Sequence, residues 1–293
     1  MRILLTGAGG QLGHDLVSVF SEADLVPFDH SGLDIADRGS VQASVVRVRP
    51  DWIINSAAYN EVDAAEDHSE LAFAVNAAGA GYLAEAARQT GASIVHVSTD
   101  YVFDGRKGSA YIEDDEPKPL SAYGRSKREG ERRVIESGAS CCVIRTAWLY
   151  GRHGSNFVKA ILAAASKGGP LRVVADQVGS PTSTADLAQA IGQLVRRPAR
   201  GLFHVANVGA CSRFEFAQAI VGGRVEVIPI STAEAGRRAV RPSKPKRETR
   251  TRTAGRPIRA ACKRLRAAWG SLGQGRMSET QSRTRPRKLS PST

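Results

Sequence analysis

The stretch Ile3-Leu4-Leu5-Thr6-Gly7-Ala8-Gly9-Gly10-Gln11-Leu12-Gly13 decides the fold. An apolar run enters a turn with glycines at three-residue spacing, and a helical segment follows. Gly7 suits a tight turn off a strand, Gly10 lets a pyrophosphate approach the backbone, and Gly13 lets a helix pack closely on a sheet. The free N–H groups and positive dipole end of that helix favour phosphate. Because the glycines follow a strand and open a helix, they predict a dinucleotide-binding βαβ unit rather than a merely structural turn.

Short apolar runs alternate with helical stretches beyond this loop. Runs that are apolar on both faces are typical of parallel strands buried under helices. The predicted strands are Ile3–Thr6, Leu25–Phe28, Trp52–Asn55, Ser93–Val97, Cys142–Arg145, Leu171–Val174 and Leu202–Val205. The predicted helices are Leu71–Ala87, Ser126–Glu136, Asn156–Ser166, Asp186–Val195 and Phe214–Val221. This alternation predicts an α/β fold with a Rossmann-type, doubly wound parallel sheet.

The regular alternation of strands and helices changes after Trp148, which indicates a smaller C-terminal lobe. We assign residues 1–150 and 171–207 to the dinucleotide-binding domain, and residues 151–170 and 208–242 to a substrate-binding lobe. Residues 243–293 form a basic tail with few large apolar side chains, too few to offset the entropy of ordering it. We therefore expect the tail to be disordered.

The charge distribution and the cysteine content narrow the class of protein further. The net charge of +12 comes from the end of the chain: 23 Lys and Arg face 27 Asp and Glu up to Gly236, against 18 and 2 from Arg237 onward. We therefore expect no nucleic-acid partner for the folded core. The four cysteines form no CxxC pair, so we expect reduced thiols, no zinc site and a cytoplasmic protein. No apolar run is long enough to span a membrane.

Tyr123-Gly124-Arg125-Ser126-Lys127 places a tyrosine and a lysine on one helix face. Ketone reduction needs a hydride donor and an acid for the developing alkoxide. We expect Tyr123 to be that acid, with its pKa lowered by the Lys127 ammonium, which can also hold a nicotinamide ribose. Thr99 follows a predicted strand, at the edge where such sheets bind ligands, and can orient the substrate carbonyl. This context favours a catalytic set over a solvated helix face.

Asp29 ends the second predicted strand, where a carboxylate can accept hydrogen bonds from the adenosine ribose. That position favours NADH, but a surface aspartate in a turn fits equally well. Both NADH and NADPH therefore stay open as the cofactor. Asp34 and Ile35 follow in a loop, where Asp34 can face the adenine edge.

At these residues the chain resembles the extended short-chain dehydrogenases, and closely the dTDP-4-dehydrorhamnose reductases, from Met1 to about Pro242. Three further motifs support the resemblance: Asn55-Ser56-Ala57-Ala58-Tyr59, Arg145-Thr146-Ala147-Trp148-Leu149-Tyr150-Gly151 and Asp176-Gln177-Val178-Gly179-Ser180-Pro181-Thr182. The last is the most diagnostic of the reductases. The resemblance implies NAD(P)H-dependent reduction of dTDP-4-dehydro-β-L-rhamnose to dTDP-β-L-rhamnose.

The resemblance also implies residue roles. The cofactor would lie along Gly7, Gly10, Gln11, Leu12, Gly13, Asp29, Asp34, Ile35, Ala57, Ala58, Tyr59, Asn60, Tyr123 and Lys127. The nucleotide-sugar substrate would meet Thr99, Asp100 and Trp148, although Trp148 as a plain core residue stays an alternative. Because some family members dimerise and bind Mg²⁺, a homodimer and a Mg²⁺ ion stay open, while no carboxylate cluster in the sequence indicates a metal site.

Two other functions use the same residues. Another nucleotide-sugar reductase or an epimerase shares the catalytic set, although the motif ending at Thr182 favours the reductase. A non-enzymatic subunit like the regulatory subunit of methionine adenosyltransferase shares the fold, but the intact Thr99, Tyr123 and Lys127 argue against it. The family pattern that begins at Arg237–Ser243 is not continued from Lys244 onward, so we expect a replaced or frame-shifted terminus and a substrate lobe with less packing.

Overall fold

The computed structural model describes residues 1–242. Its strands are β1 (Arg2–Thr6), β2 (Asp24–Phe28), β3 (Trp52–Asn55), β4 (Ser93–Thr99), β5 (Ser140–Thr146), β6 (Leu149–Tyr150), β7 (Leu171–Val174), β8 (Val178–Gly179), β9 (Thr182–Ser183), β10 (Gly201–His204), β11 (Cys211–Ser212) and β12 (Val227–Ile230). Its α-helices are α1 (Gln11–Val19), α2 (Arg38–Val48), α3 (Ser69–Phe73), α4 (Ala80–Thr90), α5 (Ala122–Glu136), α6 (Phe157–Ala165), α7 (Thr184–Arg196) and α8 (Arg213–Val221).

The centre is a six-stranded parallel sheet in the order β2-β1-β3-β4-β5-β10. The chain leaves β1 to one side for β2 and returns to the other side for β3. Strand order therefore reverses between β1 and β3, and open α/β sheets bind ligands at such a switch point. The predicted doubly wound α/β fold is confirmed.

Side chains alternate between the two faces of the sheet, as the pleat requires. Ile3 and Leu5 of β1 pack with α1 and α7 on one face. Leu4 packs on the other face with α2 and α4. Two helical layers thus bury the sheet, which is why its strands are apolar on both sides.

The predicted helix Leu71–Ala87 is interrupted in the structure. It consists of α3, a π-helical segment at Ala74–Gly79 and α4. π segments inside helices are rare and often mark functional sites. This one carries Asn76, which is buried and faces the start of α5.

A second, smaller cluster packs beside the sheet. It joins α6 and α8 through Val158, Ile161 and Phe216. The strand Leu171–Val174, which we predicted in the dinucleotide-binding domain, belongs to this cluster, because β7 pairs with β12 rather than with the six-stranded sheet. No local sequence pattern reveals this pairing, because β12 lies more than fifty residues away along the chain.

The sequence also led to predictions about the cysteines, membrane-spanning helices and the C-terminal tail. Cys141 and Cys142 are free thiols, while Cys262 lies outside the described residues. No helix within residues 1–242 is long and apolar enough to cross a membrane. The tail at 243–293, which we expected to be disordered, also lies outside them.

Candidate active site

The glycine loop lies at the switch point, between the ends of β1 and β3. Gly7 has φ +74°, and a Cβ there would come within 2.6 Å of the Ala57 backbone nitrogen. A Cβ on Gly13 would overlap the carbonyl oxygen of Gly7. Both positions therefore require glycine, which brings the start of α1 close against β1 and the β3 loop.

Two cavities open on this loop and share part of their lining. One, of about 710 Å³, lies over the end of β2 and is lined by Gly7, Gly10, Asp29, Asp34, Ile35, Ala57, Ala58, Tyr59 and Asn60, among others. The other, of about 480 Å³, includes Gly10, Gln11, Leu12, Gly13, Ala58, Asn60, Thr99, Asp100, Tyr123, Lys127, Trp148 and Arg213. The residues expected to hold a cofactor and those expected to do chemistry therefore line adjoining spaces.

The residues present fit a dinucleotide. The side-chain oxygen Oε1 of Gln11 is buried without a hydrogen-bond partner in the described structure, and it lies where the loop meets α1. The glycine cradle and the helix N-terminus supply backbone N–H groups for a pyrophosphate. A bound nicotinamide dinucleotide would supply the hydride.

Asp29 is exposed and is partly committed to its own turn. Its Oδ1 accepts hydrogen bonds from the backbone and side chain of Ser31, at 3.0 and 2.7 Å, and from the backbone of Gly32 at 3.0 Å. The Ser31 hydroxyl and the Gly32 N–H lower the pKa of Asp29. The carboxylate is therefore charged, and Asp29 and Ser31 line the larger cavity.

The loop after β3 is tied to the catalytic helix through Asn76. The Asn76 oxygen accepts from the Tyr59 backbone at 2.9 Å. Its amide donates to the Tyr59 carbonyl and to the Ser126 hydroxyl, both at 3.0 Å. The π segment places this side chain between the two, so Tyr59 and α5 share one buried anchor.

Thr99, Tyr123 and Lys127 meet where β4 ends. The Tyr123 hydroxyl donates to Asn60 Oδ1 at 3.4 Å, and the Thr99 hydroxyl donates to Asp100 Oδ1 at 3.3 Å. The Lys127 ammonium donates to the Val97 carbonyl at 2.7 Å. The side chains of all three are buried, and all three line the smaller cavity.

The expected lowering of the Tyr123 pKa by Lys127 is wrong in this structure. Burial raises the pKa of Tyr123 above its usual value, and the neighbouring Thr99 hydroxyl only partly opposes this. Burial also lowers the pKa of Lys127 to about 8, with the Glu131 carboxylate acting in the opposite direction. The buried phenol therefore stays protonated at neutral pH, which is the form that a proton donor needs.

Trp148 has strained backbone beside the cavity. Its φ of +47° lies in the left-handed region, which a bulky residue rarely adopts. A Cβ on Gly179 would overlap the Trp148 indole, so the glycine of the Asp176–Thr182 motif makes room for this ring. Through Gly179, the Asp176–Thr182 motif therefore helps to determine the position of the Trp148 ring in the smaller cavity.

Comparison with known proteins shows where the chain belongs. The family model described as the RmlD substrate binding domain matches residues 1–264. A dTDP-4-dehydrorhamnose reductase of Sinorhizobium fredii is 40% identical over 258 residues, which cover 83% of this chain and 87% of the relative. The chain belongs to the dTDP-4-dehydrorhamnose reductase family.

Two further comparisons extend this family assignment. The crystal structure of the Bacillus anthracis dTDP-4-dehydrorhamnose reductase in complex with NADP is 44% identical with a TM-score of 0.80, over 82% of this chain and 88% of that one. A probable dTDP-4,6-dihydroxy-2-methyloxan-3-one 4-ketoreductase of Streptomyces antibioticus is 41% identical over 83% of this chain and 81% of the relative. The resemblance drawn from the motifs is confirmed.

One residue of the dTDP-4-dehydrorhamnose reductase site was missed in the sequence. Arg213 begins α8 and is partly buried, with its guanidinium 3.6 Å from the centre of the Trp148 ring and 4.8 Å from that of Phe157. Burial lowers its pKa to about 10, so it stays charged at neutral pH. The only local signal was the capping box of Ser212 and Glu215, which marks the helix start but not what its first residue faces.

Proposed function

We propose that this chain catalyses the NAD(P)H-dependent reduction of dTDP-4-dehydro-β-L-rhamnose to dTDP-β-L-rhamnose. The observation that carries the proposal is that Thr99, Tyr123 and Lys127 meet in a cavity continuous with the glycine loop. This arrangement supplies a carbonyl orienter and a proton donor beside a dinucleotide site. Membership of the reductase family supplies the substrate class.

In this proposal each side chain has one task. The Thr99 hydroxyl holds the C4 carbonyl oxygen, and the Tyr123 phenol gives its proton to that oxygen as negative charge develops there. The Lys127 ammonium holds the nicotinamide ribose and stabilises the phenolate that remains. Asp100, buried beside Thr99, binds sugar hydroxyls.

The substrate side of the cavity suits a nucleotide diphosphate. Arg213 presents a guanidinium, and guanidinium groups bind phosphate oxygens with directed, charge-assisted hydrogen bonds. Trp148 offers an indole face for the sugar. We propose that the lobe at 151–170 and 208–242, with β7 added, holds the nucleotide-sugar against the cofactor domain.

A wider 4-keto-sugar specificity is the second candidate. The Streptomyces antibioticus relative carries the name of another dTDP-linked 4-ketoreductase. The two reactions differ in the sugar that fits between Asp100 and Trp148 and not in the catalytic set. The regulatory-subunit alternative is disfavoured by the complete catalytic set.

Cofactor, assembly and compartment complete the proposal. We propose that the chain uses NADPH or NADH as its cofactor, that it is located in the cytoplasm and that it forms a homodimer. No group of three or more His, Cys, Asp and Glu side chains within residues 1–242 is arranged to hold a metal ion, and none of the proposed catalytic steps uses Mg²⁺. Light scattering of the purified full chain measures its mass and tests the dimer.

The test is turnover of the purified full chain with the keto-sugar nucleotide generated enzymatically. We expect substrate-dependent oxidation of NADPH or NADH, and a product whose proton couplings show the rhamno configuration at C4. Reduction of other dTDP-linked 4-keto sugars at equal rate would support the wider specificity. Cofactor binding without turnover of any 4-keto sugar would refute the reductase proposal.

A further inference from the structure

A charged pair lies inside the protein directly behind the catalytic lysine. Glu131 of α5 and Arg145 of β5 are both buried, and the guanidinium donates to both carboxylate oxygens, at 2.8 and 2.7 Å. Buried ion pairs lose so much hydration that apolar residues of similar size often stabilise a fold equally well. The pair therefore calls for an explanation other than stability.

Glu131 lies on the same face of α5 as the catalytic residues. Tyr123, Lys127 and Glu131 are spaced four apart on α5, so they share one helix face. That face contacts consecutive residues of β4: Lys127 donates to the Val97 carbonyl, and Glu131 accepts from the Ser98 hydroxyl at 2.6 Å. Tyr123, one helical turn before Lys127, lines the same cavity as Thr99 at the end of β4.

The carboxylate has a full set of partners. Besides Arg145 and Ser98, it accepts from Arg128 at 3.1 Å. These bonds fix it one helical turn below Lys127, with no freedom to rotate away. A negative charge held there attracts the ammonium of Lys127, which burial otherwise disfavours.

We infer that Glu131 is a positioning residue, which with Arg145 and Ser98 holds the Lys127 ammonium charged and fixes the Thr99 end of β4 against α5. The inference rests on the proposed reduction, because Lys127 has its task there. Glu131 itself does not line either cavity. It acts on the reaction through Lys127 and Ser98.

Other groups around Lys127 do not take this role. His96 of β4 is buried and its pKa is well below the usual value because of burial and the Lys127 charge, so it stays neutral. Tyr123 on the same helix stays protonated. Arg145 of β5 carries a positive charge, and the π segment contributes the neutral Asn76. Asp100 lies on the turn after β4 and lines the smaller cavity.

The decisive variant is Glu131→Gln, with the titration of the Lys127 side chain followed by NMR in ¹³C-lysine-labelled protein. We expect the Lys127 midpoint to fall by about one pH unit or more, a tenfold change in its ionisation constant. The matched control is Glu129→Gln on the same helix, where the pairs with Arg132 and Arg133 lie at the surface. This control should leave the Lys127 midpoint unchanged.

Because Glu131→Gln leaves the Arg145 charge buried, a second variant guards against misfolding. Glu131→Gln combined with Arg145→Met removes both charges and should again lower the midpoint. A Lys127 midpoint equal to wild type in a folded variant of either kind overturns the inference. The titration needs no turnover, so a wild-type chain that fails to reduce the keto-sugar counts against the proposed function alone.

Kinetics supply a second readout. The fall in kcat at alkaline pH should move to lower pH in Glu131→Gln by the same amount as the NMR midpoint. A merely structural role would lower thermal stability and leave both pH values where they are in wild type. Ser98→Ala, which keeps every charge, should lower kcat several-fold and leave KM for the dinucleotide within about twofold.

Discussion

The Arg213 guanidinium stacks on the Trp148 indole, 3.6 Å from the centre of the ring. Arg213 opens a helix of the smaller lobe, while Trp148 follows the last residues of β5, so the contact joins the two parts of the site. A guanidinium over an aromatic face is held by both charge and stacking. The pair therefore presents a fixed cation and a fixed ring to the same cavity.

Replacing Arg213 should weaken substrate binding more than chemistry. For Arg213→Met we expect KM for the nucleotide-sugar to rise about 10- to 100-fold, the loss of roughly 1.5–3 kcal/mol that a hydrogen bond to a charged group contributes. Dinucleotide affinity should be unchanged, because Arg213 does not line the cavity over β2. Steady-state kinetics measures the KM, and a dinucleotide titration measures the cofactor affinity. An unchanged KM for the nucleotide-sugar would show that Arg213 does not bind the substrate phosphate.

The pH profile should report Lys127. Its pKa of about 8 in the folded protein means that the ammonium loses its proton as pH rises through that value. The buried Tyr123 stays protonated there, so we expect a single alkaline fall in kcat with a midpoint near pH 8. Lys127→Arg keeps a charge at all these pH values, so its remaining activity should lack the fall. An identical fall in Lys127→Arg would assign the ionisation to another group.

The final described residues are tied to the segment that supports α5. Arg241 binds Asp63 through two nitrogens, at 3.1 and 2.7 Å, and the Ala239 backbone donates to the same carboxylate at 3.0 Å. Three residues further along, Glu66 accepts from the Ala122 backbone at the start of α5. Asp63→Asn should therefore lower the free energy of unfolding by about 1–2 kcal/mol at neutral pH.

The sign of the pH dependence checks this assignment. The Arg241 hydrogen bond lowers the pKa of Asp63, so its stabilising contribution is present above the unfolded carboxyl pKa and is lost as pH falls through the folded value. The difference between wild type and Asp63→Asn, measured by urea unfolding, should shrink in acid. A difference that is constant from neutral to strongly acidic pH would show that the ion pair is not its source.

Cofactor preference should respond to Asp29. Its charged carboxylate faces the cavity at the end of β2, where an adenosine ribose would lie. Asp29→Ala removes a negative charge that would repel a 2′-phosphate, so the ratio of kcat/KM for NADPH to that for NADH should rise severalfold. The matched control Asp34→Ala lies in the same cavity, and its Oδ1 caps the backbone of Ala36. An equal rise in both variants would indicate a general charge effect.

Much of the fold follows from local pattern. The five strands from Ile3 to Arg145 are apolar on both faces and are each followed by turn residues, so they could be placed to within two residues. The helix α2 was missed although Asp37 caps its start and Val41, Val45 and Val48 are spaced as a buried face. Its weak signal comes from the polar residues between them. The pairing of β7 with β12 depends on contacts far apart in sequence, which no local pattern encodes.

The site was predictable where chemistry dictates spacing. The glycine loop and the Tyr123–Lys127 pair have fixed separations, so the sequence alone brings them together on one helix or turn. The protonation of Tyr123 was not predictable, because burial of the phenol depends on how α5 packs against β4. Arg213 was likewise out of reach, because its contact with Trp148 spans sixty-five positions of the chain.

The catalytic centre can be tested with two tyrosines that lie edge to face, 5.4 Å apart. Tyr123→Phe removes the proposed proton donor, while Tyr101→Phe removes the hydroxyl of a neighbouring tyrosine that lines the same cavity but has no task in the proposed reaction. The measurement is dinucleotide oxidation with the dTDP-linked 4-keto sugar, alongside dinucleotide binding by fluorescence. We predict that Tyr123→Phe binds the dinucleotide and loses turnover by about a hundredfold or more, while Tyr101→Phe stays active. Turnover by Tyr123→Phe at the wild-type rate would contradict the assignment of this centre.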